Sequence, residues 1–274
     1  RGGHCWLRAM LSQWSGEERL HANVLTPVLI SGKQGLSKST FCRLLMPDSL
    51  RHYFVDNLNL AAGSSPEKKL VKNGLINLDE FDKIKESQQA TLKNLLQMVN
   101  VPVFRGKRLG WVNESRLASF IATTNVYQVL IDSTGSRRFL CVEVLKPISE
   151  EPLEHKQIYA QLKEELKSGA PDYLNKEEEK ALQKHNKAYY RQSLLEDVFH
   201  CCFRHPLETE KGIWLTTAEI FQVMRKFNSA ALKEVSARQL GLKLSAMGYM
   251  AKHTSFGNRY YVFNLLAEKK EVSL

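Results

Sequence analysis

The sequence predicts an α/β protein: a mostly parallel sheet flanked by helices, followed by a smaller C-terminal module of helices and a hairpin. Three observations predict it. Short apolar runs of strand length, Val28 to Ile30, Leu75 to Leu78, Leu117 to Thr124 and Phe139 to Val144, alternate with stretches of helical period. The first run leads directly into a glycine-bearing turn that opens a helix, between residues 28 and 42. From Leu194 the pattern changes to three helical stretches and then two strand-like runs. The expected divisions are 1–148 for the core, 149–192 for a helical lid or linker, and 193–274 for the C-terminal module.

A chain of 274 residues, 43% hydrophobic, can bury a full core and divide in two. No apolar segment approaches the ~18 residues of a membrane helix, and the N-terminus carries no signal-peptide pattern, so a cytoplasmic protein without a membrane partner is expected. The chain starts at Arg1, as expected of a fragment of a longer polypeptide. Cys5, Cys42, Cys141, Cys201 and Cys202 show no C-x-x-C spacing, which points to neither a zinc site nor a disulfide framework. A net charge of +10 and a pI near 9.3 favour a polyanionic partner, nucleic acid first.

Taken in order, Trp6, Leu7, Met10, Leu11 and Trp14 predict an amphipathic helix over 5–20. Pro27 stands at the entry of the first strand. The turn reads Gly32-Lys33-Gln34-Gly35-Leu36-Ser37-Lys38-Ser39 with Thr40 next, against a P-loop pattern G-x-x-x-x-G-K-[ST] that asks for glycine at position 37. Gly32, Gln34, Gly35, Ser37, Lys38, Ser39 and Thr40 would form the phosphate cradle. Lys38 would reach the β and γ phosphates of ATP, and the Ser39 hydroxyl would ligate Mg²⁺. A serine at 37 keeps its amide donor but puts a side chain where φ can be positive.

After a helix over about 38–46, Tyr53 to Val55 is a second strand and Ser65-Pro66-Glu67 starts a two-turn helix, with Ser65 as its cap. Leu75 to Leu78 delivers Asp79 and Glu80 at its carboxyl end, where open α/β sheets bind ligands. Asp79 fits a Mg²⁺ ligand and Glu80 a general base; the alternative is an acidic cap for the helix over 86–100. Residues 101–113 suggest a hairpin around Gly106 and Gly110 carrying Arg105, Lys107 and Arg108, for phosphate-backbone contact or as a solvated turn. Asn125 follows the strand ending at Thr124 and could sense a γ-phosphate. Asp132 to Ser136 is a turn before Arg137, Arg138 and the last core strand; two adjacent strand residues point to opposite faces.

The ordered set of Gly32, Gly35, Lys38-Ser39-Thr40, Leu78-Asp79-Glu80, Thr123-Thr124-Asn125 and Thr134 to Phe139 resembles the virulence-associated protein E (VirE-like) family of P-loop ATPases. That family is found in replication proteins of phages, plasmids and other mobile elements and is similar to superfamily 3 helicases. The resemblance covers about residues 20–150. It implies an AAA+-like core, assembly as a homo-oligomeric ring, Walker A at Lys38 and Ser39, Walker B at Asp79 and Glu80, a sensor at Asn125, and an arginine finger among Arg137 and Arg138. Family members carry glycine where Ser37 stands, a departure that bears on turnover more than on fold.

Residues 150–192 are charged and helical and resemble the lid that follows such cores. Helices over 194–204, 218–227 and 236–247, then strands over 249–254 and 259–265 joined by a turn at 255–258, make a winged-helix pattern. Arg238, Lys243 and Arg259 would give it a DNA-contacting side, duplex DNA here and single-stranded DNA at the core; protein docking is the alternative use. The functional expectation is an ATPase of the helicase kind serving DNA replication or mobilisation. The alternative is a nucleotide-gated DNA-binding or scaffold protein with weak or no hydrolysis.

Overall fold

Strands buried on both faces read as unbroken apolar runs, and three of the runs singled out above form the interior of one sheet. In the computed structural model, β1 (Thr26–Ile30), β3 (Leu75–Leu78) and β6 (Ser119–Thr124) have no residue outside the buried class. The described residues are 1–16, 21–61, 63–131, 136–191, 194–207, 209–233, 235–255 and 257–267. They fall into two units, Arg1–Arg191 and Gln192–Leu274.

The first unit begins with α1 (Gly2–Trp14), which buries Trp6 and Met10. Its Trp6 indole donates to Phe120 O at 3.0 Å and its Gln13 amide to Ala118 O at 2.9 Å, tying the helix to β6. The helix stops earlier than the expected residue 20; residues 17–20 lie outside the described set. In order then follow α2 (Lys38–Leu44), β2 (Phe54–Asp56), α3 (Glu67–Lys72), α4 (Glu86–Gln97), β4 (Asn100–Phe104), β5 (Trp111–Ser115), β7 (Phe139–Glu143), α5 (His155–Lys167) and α6 (Lys176–Asn186). The five-stranded sheet has the order β2-β3-β6-β1-β7, and every pair in it is parallel. It is a central parallel sheet flanked by helices.

Pro27 lies inside β1 and not merely at its entry. It is in register only with Leu140 of β7, because pairing with β6 starts at Val28, so its missing N–H falls outside that second ladder. α3 starts one residue later than expected, with Pro66 as its cap and no side-chain cap bond from Ser65. Arg137 and Arg138 do not alternate as strand residues; Ser136–Arg138 is a 3₁₀ turn ahead of β7, and the expected turn residues 132–135 lie outside the described set. β4 and β5 form the expected hairpin, closed by Arg105 N–H to Gly110 O at 2.9 Å. At its base Arg116, 2% exposed, donates to the carbonyls of Ala118, Leu95, Leu96 and Asn23.

The second unit contains α7 (Leu194–Cys202), β8 (Phe203–Arg204), β9 (Ile213–Thr216), α8 (Thr217–Phe227), α9 (Ala237–Ala246), β10 (Ala251–Thr254) and β11 (Gly257–Asn264). β11 pairs antiparallel with β10, β9 and β8. The short strands β8 and β9 are additions to the expected three helices and hairpin. Phe199, Phe203, Ile220, Met224, Leu240, Leu244, Tyr260 and Val262 make the core of this unit. Serine and threonine caps set two of its helix starts: Thr216 accepts from Glu219 N–H, and Ser236 from Gln239 N–H. Among the described residues no helix is long and apolar enough to cross a membrane.

Candidate functional site

Because β1, β6 and β3 are adjacent and parallel, their carboxyl ends finish side by side: Ile30 is in register with Thr124, and Leu78 with Ala122. Ser31, Asn125 and Asp79 are the residues that follow or lie just past these ends, and α2 starts opposite them. A crevice outside the carboxyl ends of an open α/β sheet is where such folds bind ligands.

Lys38 reaches back over this edge. Its ammonium donates to Ser31 Oγ at 2.5 Å and to Asn125 Oδ1 at 2.8 Å, and the residue is only 8% exposed. Burial pulls its pKa below the usual lysine range, with nearby Asp79 opposing that in part. Ser39 donates to Asp79 Oδ1 at 3.1 Å, and Thr123 Oγ1 donates to the same oxygen. The structure thus brings Lys38, Ser39, Asp79 and Asn125 together from three separate stretches of chain.

The turn before α2 is exposed from Gly32 to Gly35. Two glycines are needed for different reasons. A Cβ on Gly32 would sit 2.8 Å from the Tyr127 ring, and Gly35 has φ of +75°. Among the described residues none of the backbone N–H groups of Lys33 to Ser37 finds an acceptor. Ser37 itself is left-handed, φ +59° and ψ +27°, a conformation that costs a non-glycine residue about 1–2 kcal/mol. Its hydroxyl is held by Glu150 Oε1 at 2.6 Å. Gln34 and Thr40 are exposed, on the turn and on α2.

The donor set suits a nucleotide and a hard cation. Ser39 and Asp79 offer oxygen ligands only, as Mg²⁺ takes when phosphate oxygens and water complete its shell. Among the described residues no cluster of three or more His, Cys, Asp or Glu could hold a metal by itself. Lys38 and the open amides offer what a phosphate chain needs.

Other expected site residues are arranged differently. Glu80 has φ of +52°, and its carboxylate pairs with Lys83 at 2.6 Å on the surface. Arg137 and Arg138 are at the opposite, amino-terminal end of the strands. Phe139, next in the chain, is in register with Thr26, four residues and roughly 13 Å before the end of β1. Arg137 pairs with Glu179 at 3.4 Å. Of the hairpin cations, Arg105 is engaged by Glu114, at 2.5 and 2.6 Å. Lys107 and Arg108 are exposed and make no ion pair among the described residues. Beside them Phe104 and Trp111 are 50% and 74% exposed, with ring centroids 5.6 Å apart.

In the second unit Lys243 turns inward to Glu196 at 2.9 Å, whereas Arg238 and Arg259 are exposed. A concavity of about 440 Å³ lies between α8, α9 and β11, lined in part by Thr217, Arg238, Leu242 and Asn258.

Sequence reasoning missed three contributors. Asp82 accepts from Thr124 Oγ1 at 2.5 Å, and Thr124 in turn accepts from Val126 N–H at 3.1 Å, bracketing Asn125. Arg43, Asp56 and Asn77 form a polar chain from α2 to β2 and β3, with links of 2.7 and 2.9 Å. Glu150 reaches the turn from 113 residues away. Thr124, Asp56 and Asn77 could be noticed as polar residues in otherwise apolar strands; for Asp82, Arg43 and Glu150 there was no such signal.

Residues 192–262 match a family described as a domain of unknown function from B. Theta (DUF3874). No curated protein matches this chain. Among solved structures, the apo structure of the NrS-1 C-terminal region (305–718) aligns over 96% of this chain and 70% of its own, at 14% identity and a TM-score of 0.42. An A-form apo structure of the same region aligns over 91% and 58%, at 16% identity and a TM-score of 0.42. Residues 23–191, more than half of the chain, match the virulence-associated protein E-like domain. The strand ends and the α2 turn described above all lie within that match, and the chain belongs to the virulence-associated protein E-like family.

Proposed function

We propose that the chain is an ATP-dependent motor of DNA replication or mobilisation. In this reading Arg1–Arg191 is a P-loop ATPase core of the AAA+ kind, and Gln192–Leu274 is a winged-helix module. The observation that carries it is the meeting of Lys38, Ser39, Asp79 and Asn125 at the ends of three adjacent parallel strands. Phosphoryl transfer asks a protein for positioning and charge stabilisation more than for covalent chemistry, and this set is suited to both.

Lys38 would exchange Ser31 and Asn125 for the β and γ oxygens of the triphosphate. Asn125, freed from Lys38, would orient the attacking water beside the γ-phosphate. Mg²⁺, held by Ser39 and Asp79, would neutralise charge on the phosphate oxygens. Thr123 keeps the Asp79 carboxylate aimed at Ser39. Glu80 would act as general base after leaving Lys83, since catalytic contacts in ligand-free structures are often not yet formed. Arg137 and Arg138 are too far from their own chain's Lys38 edge, so a finger role for either belongs to a neighbouring subunit's site, which is the argument for a ring. Lys107 and Arg108, flanked by Phe104 and Trp111, suit a single strand: cations for the backbone and ring faces for bases. Arg238 and Arg259 would serve duplex contact at the winged module; Lys243 would not, being tied to Glu196.

ATP turnover by the wild type and by Lys38→Ala, with and without single-stranded DNA, tests the reading. Turnover that rises with DNA and vanishes in Lys38→Ala is expected. Turnover unchanged in that variant would remove it. A second reading, a nucleotide-gated DNA-binding or scaffold protein, is favoured by one observation, the left-handed serine at position 37. Tight nucleotide binding with no turnover in either condition would select it.

A further inference from the structure

After β7 the chain runs as a strap along α2, fastened near both ends. Ile148 N–H donates to Leu36 O at 3.2 Å, and Ser37 Oγ donates to Glu150 Oε1 at 2.6 Å. Further on, His155 Nε2 lies 2.7 Å from Leu44 O, and Tyr159 Oη donates to Leu45 O at 2.6 Å. The two fastenings are unequal. Tyr159 is packed against Trp14, ring centroids 5.6 Å apart, and against His155, and burial pushes its phenol pKa up. Glu150 is exposed, and its bond to Ser37 is made at the surface. The near fastening is thus the exposed one and the far fastening the buried one.

Ser37 is unusual twice over: a non-glycine in the left-handed region, and the residue whose hydroxyl donates this fastening. The carboxylate takes only the hydroxyl. The N–H groups of Lys33 to Ser37 stay open among the described residues, so Glu150 stands beside the turn without filling it.

We propose that Glu150, latched through Ser37, is an internal anion that competes with the triphosphate for the turn, so that segment 148–154 must lift before a nucleotide is seated. The proposal rests on the reading of the turn as a phosphate cradle. A carboxylate at hydrogen-bond distance from the residue preceding Lys38 would face several phosphate charges of its own sign, and such juxtapositions are unfavourable. Withdrawal of Glu150, by a neighbouring subunit or by DNA, would then couple those partners to nucleotide occupancy.

The test is equilibrium titration of the full chain with a fluorescent, non-hydrolysable ATP analogue and Mg²⁺. The variants are Ser37→Gly, Glu150→Ala, Glu150→Gln, Lys38→Ala and the neighbouring Glu151→Gln, and the first two are repeated with Lys38→Ala added. Both Glu150 variants are expected to bind about tenfold more tightly than wild type, the scale of one like charge removed, and Ser37→Gly, which frees Glu150 from the turn, should also bind more tightly. Glu151→Gln should bind as wild type does, and Lys38→Ala should cancel the gain. Equal affinity in wild type, Ser37→Gly and Glu150→Ala, with binding still lost in Lys38→Ala, would overturn the latch and leave the cradle standing. A gain that survives Lys38→Ala, or no binding in any variant, would overturn both. An equal gain in Glu151→Gln would overturn the latch by making the effect one of general surface charge.

Discussion

The two units bury different chemistry. Every buried polar or charged side chain among the described residues, Ser31, Lys38, Asn77, Arg116, Thr123 and Thr124 included, lies in the first unit. The buried set of the second unit is aliphatic, aromatic or thiol. Burying a polar group is costly unless it is hydrogen-bonded, and the first unit meets that requirement in two ways. Arg116 and the side-chain amide nitrogens of Gln13 and Asn186 donate mainly to backbone carbonyls and hold elements together. Lys38, Ser31 and Thr123 are satisfied largely by other side chains at one sheet edge, partners that a ligand could replace. In the second unit no cation is fully buried among the described residues, and several have single partners: Arg204 with Glu210, Lys243 with Glu196, Lys252 over the Trp214 ring. Exchangeable buried polarity marks the candidate site; dispersed, capped charge marks a scaffold or a contact surface.

The sharpest way to break this contrast is at Asn125. Asn125→Ala should lower steady-state ATP turnover by roughly a hundredfold, the scale of losing one group aimed at developing charge, while Arg238→Ala leaves it unchanged. Equal losses in both would mean that the difference between the units is not catalytic. Next comes the architectural kind of buried polarity. Arg116→Ala leaves several carbonyls without their donor and should destabilise the first unit by about 3 kcal/mol. Leu240→Ala should cost the second unit a similar amount, about 2–5 kcal/mol, by leaving a cavity. Urea midpoints followed by amide exchange in each unit would separate the two.

A smaller effect is expected from acid. The Arg204 guanidinium, aided by Leu207 N–H, holds the Glu210 carboxyl down to about 2 from the usual 4.5. A depressed carboxyl pKa stabilises the folded state above the unfolded value and loses that contribution as pH falls toward the folded one. Amide protection around residues 204–212 should therefore decline between pH 4.5 and about 2 in the wild type, with a shallower decline in Glu210→Gln. Smallest is Lys243→Ala, expected to change stability by at most ~1 kcal/mol and DNA affinity not at all. A clear loss of DNA binding there would show that the Glu196 pair opens in the complex.

Legibility followed the same division. β3 and β6 could be read because burial on both faces writes itself as an apolar run, and the position of Asp79 or Asn125 follows from where that run stops. β8 and β9, two and four residues long, carry no such run and were missed. Lys243 and Lys107 look alike as lysines in a basic stretch; only packing ties the first to Glu196 and leaves the second in water. Glu80 follows Asp79 in the chain, but its backbone turn sends the carboxylate to Lys83.

By itself the sequence determined the alternation of strands and helices, which depends on local period, and the ordered motifs that carry the resemblance to the family. The strand order that seats Lys38 between Ser31 and Asn125, the separation of Arg137 and Arg138 from that edge, and the meeting of Ser37 with Glu150 were decided only by the tertiary structure. Each is a contact or a distance between segments far apart along the chain. Local preference carries no information about such pairs until the sheet has closed and packing has chosen which groups lose their water.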